Sequence, residues 1–127
     1  MEKIDRSRRI QFLMGYIPKE FEPKLGIYFG EHVVRINGQL SLVVNASGQV
    51  GIRALQSNLA DELKQLCADT HWVAHGRIYD QWYLLPQDYS LNDPQVINWI
   101  RESVAEIYRL SLIDGIPSRN KVKVAHW

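Results

Sequence analysis

The run Phe29-Gly30-Glu31-His32-Val33-Val34-Arg35-Ile36-Asn37-Gly38-Gln39-Leu40-Ser41-Leu42-Val43-Val44 sets the architecture. Asn37-Gly38 lies between two apolar runs. A type I′ turn needs positive φ at both central residues, which Asn and Gly tolerate best, so this pair predicts a tight hairpin. Upstream, Leu25, Ile27 and Phe29 alternate on one side of an extended segment. Gly30 reads as a bulge or a close backbone approach, after which Val33, Val34 and Ile36 resume the strand. Downstream, Leu40 to Val44 is apolar at nearly every position, as in a strand covered on both faces. Ala46-Ser47-Gly48-Gln49 makes the next turn, and Val50, Ile52 and Ala54 alternate with Gly51 and Arg53. Two tight turns in succession predict a three-stranded antiparallel meander.

Helical patterns flank it. Ile10, Leu13 and Met14 give the first segment a helical period, closed by Gly15 and Pro18. Ser57 caps a second helix with Leu59, Leu63, Leu66 and Cys67 on its apolar face. Trp72-Val73-Ala74-His75 and Tyr79 to Leu85 read as a further strand pair interrupted by Gly76-Arg77. Asp93 is a good N-cap and Pro94 a good first helical residue. Beyond them Ile97, Ile100, Val104, Ile107 and Tyr108 form one core face, and Gly115 and Pro117 end the helix. The predicted fold is α+β: an antiparallel sheet of about five strands flanked by helices, in the order α-β-β-β-α-β-β-α. Residues 1–113 form the domain and 114–127 a basic C-terminal tail.

The length of 127 residues suits one domain, and 46% apolar with 23% charged residues places it among ordinary globular chains. No apolar run reaches the roughly 18 residues of a membrane helix. Met1 to Arg9 lacks the apolar core of a secretory signal. A lone cysteine, Cys67, excludes an internal disulfide, so the expected setting is the cytoplasm, without membrane attachment. The net charge of +1 is unevenly spread: residues 1–10 carry four basic and two acidic side chains, and residues 114–127 three and one, which leaves a mildly acidic middle. Such a balance is not that of a nucleic-acid-binding domain. Arg6, Arg8, Arg9, Arg119, Lys121 and Lys123 are nonetheless candidate phosphate contacts if the two ends lie together.

Order and motifs together resemble the N-terminal domain of the TfoX/Sxy family. The matching features are Phe29-Gly30 ahead of a strand that runs into Asn37-Gly38, and Val50-Gly51-Ile52-Arg53. Gly76-Arg77 follows, leading into Trp82-Tyr83-Leu84-Leu85-Pro86, with Trp99 early in the last helix. The likeness covers roughly residues 25–112. Tyr28 stands where the family usually has Met, and Glu31 where a second Gly usually follows Phe-Gly. The resemblance implies a stand-alone N-terminal domain without the family's long C-terminal domain. It also implies a role in competence and transcription regulation, with the cyclic-AMP receptor protein as partner. The same element order also resembles the type III secretion chaperones, which implies a homodimer that wraps a partner chain.

The residues themselves give no catalytic motif and imply no enzyme activity and no cofactor. Cys67, His71 and His75, spaced by three, form an alternative metal set with Asp69, but they cross from a helix end into a strand, which spreads them apart. The preferred reading is no metal. Arg77, between strands dense in aromatics, and Tyr79, Trp82 and Tyr83 are the candidate partner-binding patch, because Tyr, Trp and Arg are the usual interface anchors. Gly30, Asn37, Gly38 and Gly76 are the candidate structural turn residues. The expected function is a non-enzymatic protein-interaction module, monomeric or homodimeric, with direct nucleic-acid contact a weaker expectation.

Overall fold

Hairpin chemistry dictates the first half of the molecule. In the computed structural model, which describes residues 5–55, 57–67, 71–74 and 76–112, Asn37 and Gly38 have φ of 51° and 83°. They join β2 (Glu31–Ile36) to β3 (Gln39–Val44). The side chains of Ser57, His71, Ala74, Arg77, Ile78 and Asp80 lie outside the described part. Phe29 and Gly30 repeat the same geometry, with φ of 49° and 82°. The segment read as one bulged strand is therefore a second hairpin, β1 (Lys24–Tyr28) turning into β2. Phenylalanine rarely takes positive φ, which is why local rules do not place a turn there.

The remaining elements are α1 (Arg6–Met14), a single 3-10 turn (Lys19–Phe21), β4 (Val50–Arg53), α2 (Ser57–Cys67), β5 (His71–Ala74), β6 (Arg77–Leu84) and α3 (Pro94–Leu112). The α+β class and the element order hold, with the first strand divided in two. Asp5 caps α1 through the Arg8 N–H at 3.1 Å, and Asp93 caps α3 through the Gln95 N–H at 2.9 Å. No helix among the described residues is long and apolar enough to cross a membrane.

All strands pair antiparallel in one sheet ordered β1-β2-β3-β4-β6-β5. The three helices cover one face. Ile10 and Leu13 of α1, Leu59, Leu63 and Cys67 of α2, and Val96, Ile100, Val104 and Ile107 of α3 bury against Val34, Ile36, Leu42, Val44, Ile52 and Tyr83.

Among the described residues the opposite face carries no helix, yet it is not open. Tyr28, Val33, Leu40, Val43, Trp72, Tyr79, Trp82 and Leu84 form a second buried cluster there. Five inter-strand spacings of about 4.8 Å would hold the edge strands of a flat sheet roughly 24 Å apart. Here they touch: the Tyr28 ring of β1 lies 5.8 Å from the Trp72 ring of β5, and the Tyr28 and Tyr79 hydroxyls are 3.3 Å apart. The Trp72 indole N–H donates to Glu31 Oε1 at 2.7 Å. The sheet thus curls until its two ends close a small aromatic core.

Two irregularities produce the curl. Val34 pairs with Leu42 but Arg35 with Leu40, so Ser41 is an extra residue in β3. His71 pairs with Tyr83 but Trp72 with Tyr79, so residues 80–82 of β6 have no counterpart in β5. Bulges of this kind bend a strand and increase its twist. The buried Arg53 ties both together: its Nη1 donates to the Leu40 carbonyl at 3.2 Å and its Nη2 to Gln81 Oε1 at 3.5 Å.

Candidate functional site

The aromatic patch expected at Tyr79, Trp82 and Tyr83 is corrected by burial. All three are buried, and they do not share a face. Tyr79 and Trp82 belong to the closed aromatic core, while Tyr83 packs beneath the helices. Alternation along a strand separates Trp82 from Tyr83, and the bulge at residues 80–82 brings Tyr79 and Trp82 to one side. The side chain of Arg77 lies outside the described part.

Gly30, Asn37, Gly38 and Gly76 all have positive φ. At Gly30, Gly38 and Gly76 an added Cβ would meet nothing within 4 Å, so backbone strain alone favours glycine there.

Of the candidate phosphate contacts, Arg119, Lys121 and Lys123 lie outside the described residues. On α1, Arg8 pairs with Asp5 at 3.7 Å, and Arg9 Nη1 donates to the Gly48 carbonyl at 2.8 Å, which docks α1 on the β3–β4 turn. Arg6 is half-buried. The helix-borne cations do not form one free patch.

Cys67 is buried in the helical-face core, and burial pushes its thiol up to about 11. A metal ligand or nucleophile needs the thiolate, which this site disfavours. Asp69 and His75 and the side chain of His71 lie outside the described part, so the spaced Cys/His set is not brought together in what is described.

Surface grooves lie at two places among the described residues. One, of about 700 Å³ between α2 and α3, is lined by Asp61, Glu62, Glu102, Glu106 and Arg109. Its acids serve the fold in part: Glu62 accepts from the Trp99 indole at 2.8 Å, and Glu106 accepts the Leu55 N–H at 3.1 Å. The other, of about 500 Å³, lies where the 3-10 turn, the start of β1, the β2–β3 turn and the end of α3 converge. Phe21, Tyr108 and Leu112 line it together with the charged Glu20, Glu22, Lys24 and Arg35.

The residues that sequence reasoning missed are on β1. Leu25 pairs with Val34 and Ile27 with His32, so both side chains point to the helix-bearing face. The helix nearest in sequence, α1, packs over β2 and β3 and leaves them uncovered. Leu25 is 44% exposed, Ile27 57% and Phe29, at the hairpin tip, 63%. In a two-residue hairpin the flanking pair, Tyr28 and Glu31, exchanges both backbone hydrogen bonds. The next bonded pairs are Gly26 with Val33 and Lys24 with Arg35, so the N–H and C=O groups of Leu25 and Ile27 face away from β2. β1 is an edge strand with its backbone and two apolar side chains presented together. The signal was in the alternation of Leu25, Ile27 and Phe29, but alternation does not tell an edge strand from a covered one.

Comparison of the chain with protein-family models, with curated proteins and with solved structures finds no match.

Proposed function

We propose that the chain is a non-enzymatic protein-interaction module and that the β1–β2 hairpin is its contact surface. The observation that carries this reading is the outer edge of β1, which no described strand pairs, with Leu25 and Ile27 exposed beside it and Phe29 at the tip in a left-handed conformation. A bulky residue at positive φ is costly, by roughly 1–2 kcal/mol, and such strain collects at functional positions. The occupant is an extended segment of a partner protein that adds a strand to β1. Its backbone pairs with Leu25 and Ile27, and its alternate apolar side chains lie beside theirs. In line with the TfoX resemblance, the partner is a transcription regulator of the cyclic-AMP receptor class, and the chain is a cytoplasmic accessory regulator.

The test is a titration of purified, fluorescein-labelled cyclic-AMP receptor protein with the intact chain, read by anisotropy. The comparison is the Leu25→Lys/Ile27→Lys double variant. Both positions are exposed, so the variant should melt at an unchanged temperature while its affinity falls at least tenfold, about 1.4 kcal/mol. Equal binding by the two chains would sink the hairpin reading. No binding by either would remove this partner class.

A further inference from the structure

We infer that the partner strand accepted by the β1 edge carries an acidic residue between two apolar ones, its carboxylate meeting the Arg35 guanidinium over Gly26. This rests on the proposed role of that edge and names the chemistry of its partner. Gly26 lies midway along β1, opposite Val33 of β2. It has no side chain, and Arg35 fills the space that leaves. The Arg35 Nη1 stands where a Cβ on Gly26 would be, with Arg35 Cζ 3.6 Å and Val33 Cγ2 3.7 Å from that point. Val33 belongs to the aromatic core, so the guanidinium lies on that face of the sheet and reaches outward from β2 across β1. Arg35 and Lys24, which pairs with it across the two strands, make no ion pair with a described residue. Glu20 and Glu22 share a groove with both cations, yet neither comes within ion-pair distance of them. Glu31, at the hairpin end of β2, is already bonded to the Trp72 indole N–H.

The backbone register sets what lies beside that charge. Leu25 and Ile27 turn their N–H and C=O groups outward, so an antiparallel partner strand bonds to those two residues. The partner residue between the two bonded ones then faces Gly26 in a non-hydrogen-bonded pair, where Cα atoms are about 4.5 Å apart. Residues opposite one another across a ladder share a face. The two bonded residues therefore stand beside the exposed Leu25 and Ile27, and the central one points to the other face, beside the guanidinium. Apolar residues suit the first two positions. Asp or Glu suits the centre, because a planar guanidinium matches the two oxygens of a carboxylate. The next partner residue on that face stands opposite Lys24, which adds a second positive charge. A lysine at the centre would set like charges side by side.

Two fluorescein-labelled peptides with blocked ends test this: Thr-Thr-Val-Glu-Val-Thr-Thr and its counterpart with Gln in place of Glu. Each is titrated with the intact chain and with its Arg35→Gln variant and read by anisotropy at low salt. The Glu peptide should bind the intact chain at least about threefold tighter than the Gln peptide. That advantage should shrink at high salt and vanish in Arg35→Gln. Amide hydrogen exchange should slow at Leu25 and Ile27 when the Glu peptide is added, with the β3 amides unchanged. The Glu-to-Gln change is made in the peptide, so the comparison on the intact chain stands even if the variant folds poorly. Equal affinities for the two peptides, no binding of either, or a preference that Arg35→Gln leaves intact would overturn the inference. So would Leu25 and Ile27 amides already protected before peptide is added, since the edge would then be held by something else. If the peptides bind equally yet the receptor titration depends on Leu25 and Ile27, the functional reading stands and this inference falls. If the Glu peptide is preferred through Arg35 and the titration is indifferent to those residues, the reverse holds.

Discussion

Gly51→Ala isolates the closed aromatic core. Gly51 lies in β4 and faces that core, and its backbone dihedral is not in the left-handed region. Glycine within a strand costs about 0.5–1 kcal/mol relative to alanine, so an open site would gain stability from this change. The site is not open: an added Cβ would lie 2.6 Å from Val43 Cγ1 and 3.0 Å from Leu84 Cδ2, with Trp82 Cε3 at 3.7 Å. Val43 is β-branched and fully buried on a central strand, so it cannot turn aside without moving the cluster. Overpacking of this kind costs about 1–3 kcal/mol. For a domain of this size that lowers the melting temperature by about 3–15 °C. Thermal unfolding followed by circular dichroism gives the value directly. Gly26→Ala serves as the control: on the edge strand β1 the new Cβ meets the Arg35 guanidinium, the far end of a flexible side chain from β2, and the melting temperature should hardly move. A Gly51→Ala protein that melts at or above the wild-type temperature would refute the closed core, because the alanine would then have found room.

Two further outcomes follow from the same geometry. Trp72→Phe keeps an aromatic ring but loses the indole N–H that donates to Glu31 Oε1, a bond to a charged acceptor worth about 1.5–3 kcal/mol; urea unfolding should show a loss in that range, Glu31→Gln should cost less because it retains an acceptor, and a Trp72→Phe loss below about 1 kcal/mol would mean this β5-to-β2 bond does not hold the curl. For Cys67 burial pushes the folded thiol from its ordinary 9.0 up to about 11, so above pH 9 the unfolded chain loses a proton that the folded chain keeps; stability is unaffected below pH 9 and falls by about 2–3 kcal/mol towards pH 11, and the difference between wild type and Cys67→Ala across that interval should follow this slope or the burial is wrong.

What could be read in the sequence was local. Asn37-Gly38, Asp93-Pro94 and the heavy apolar run of β3 each report their structure through neighbours a few residues away. The Phe29-Gly30 turn was not legible, because a phenylalanine at φ 49° obeys no turn preference. The aromatic patch was misjudged for a different reason. Period 2 sends Trp82 and Tyr83 to opposite faces, and only a three-residue bulge, set by pairing with a strand on the far side of a turn, decides that Tyr79 joins Trp82. Arg53 alternates with Ile52 and Ala54 in the sequence, which does not tell that it is buried. Its burial depends on Leu40 and Gln81, which come from strands on either side of β4.

The second core also decides where contacts can be made. A sheet with helices on one face ordinarily offers the other to a ligand or partner, but here Trp72, Tyr79 and Trp82 fill it from within. Binding is then left to helix surfaces and strand edges. Native proteins usually blunt an edge with proline, a bulge, an inward-pointing charge or a covering element. Between Lys24 and Tyr28 there is no proline, the β1–β2 register runs without a shift, and the only charge is Lys24 at the very start. The face that could have carried a covering helix instead presents Leu25 and Ile27. An edge so equipped is suited to accept an extended strand from a partner, with Leu25 and Ile27 beside it.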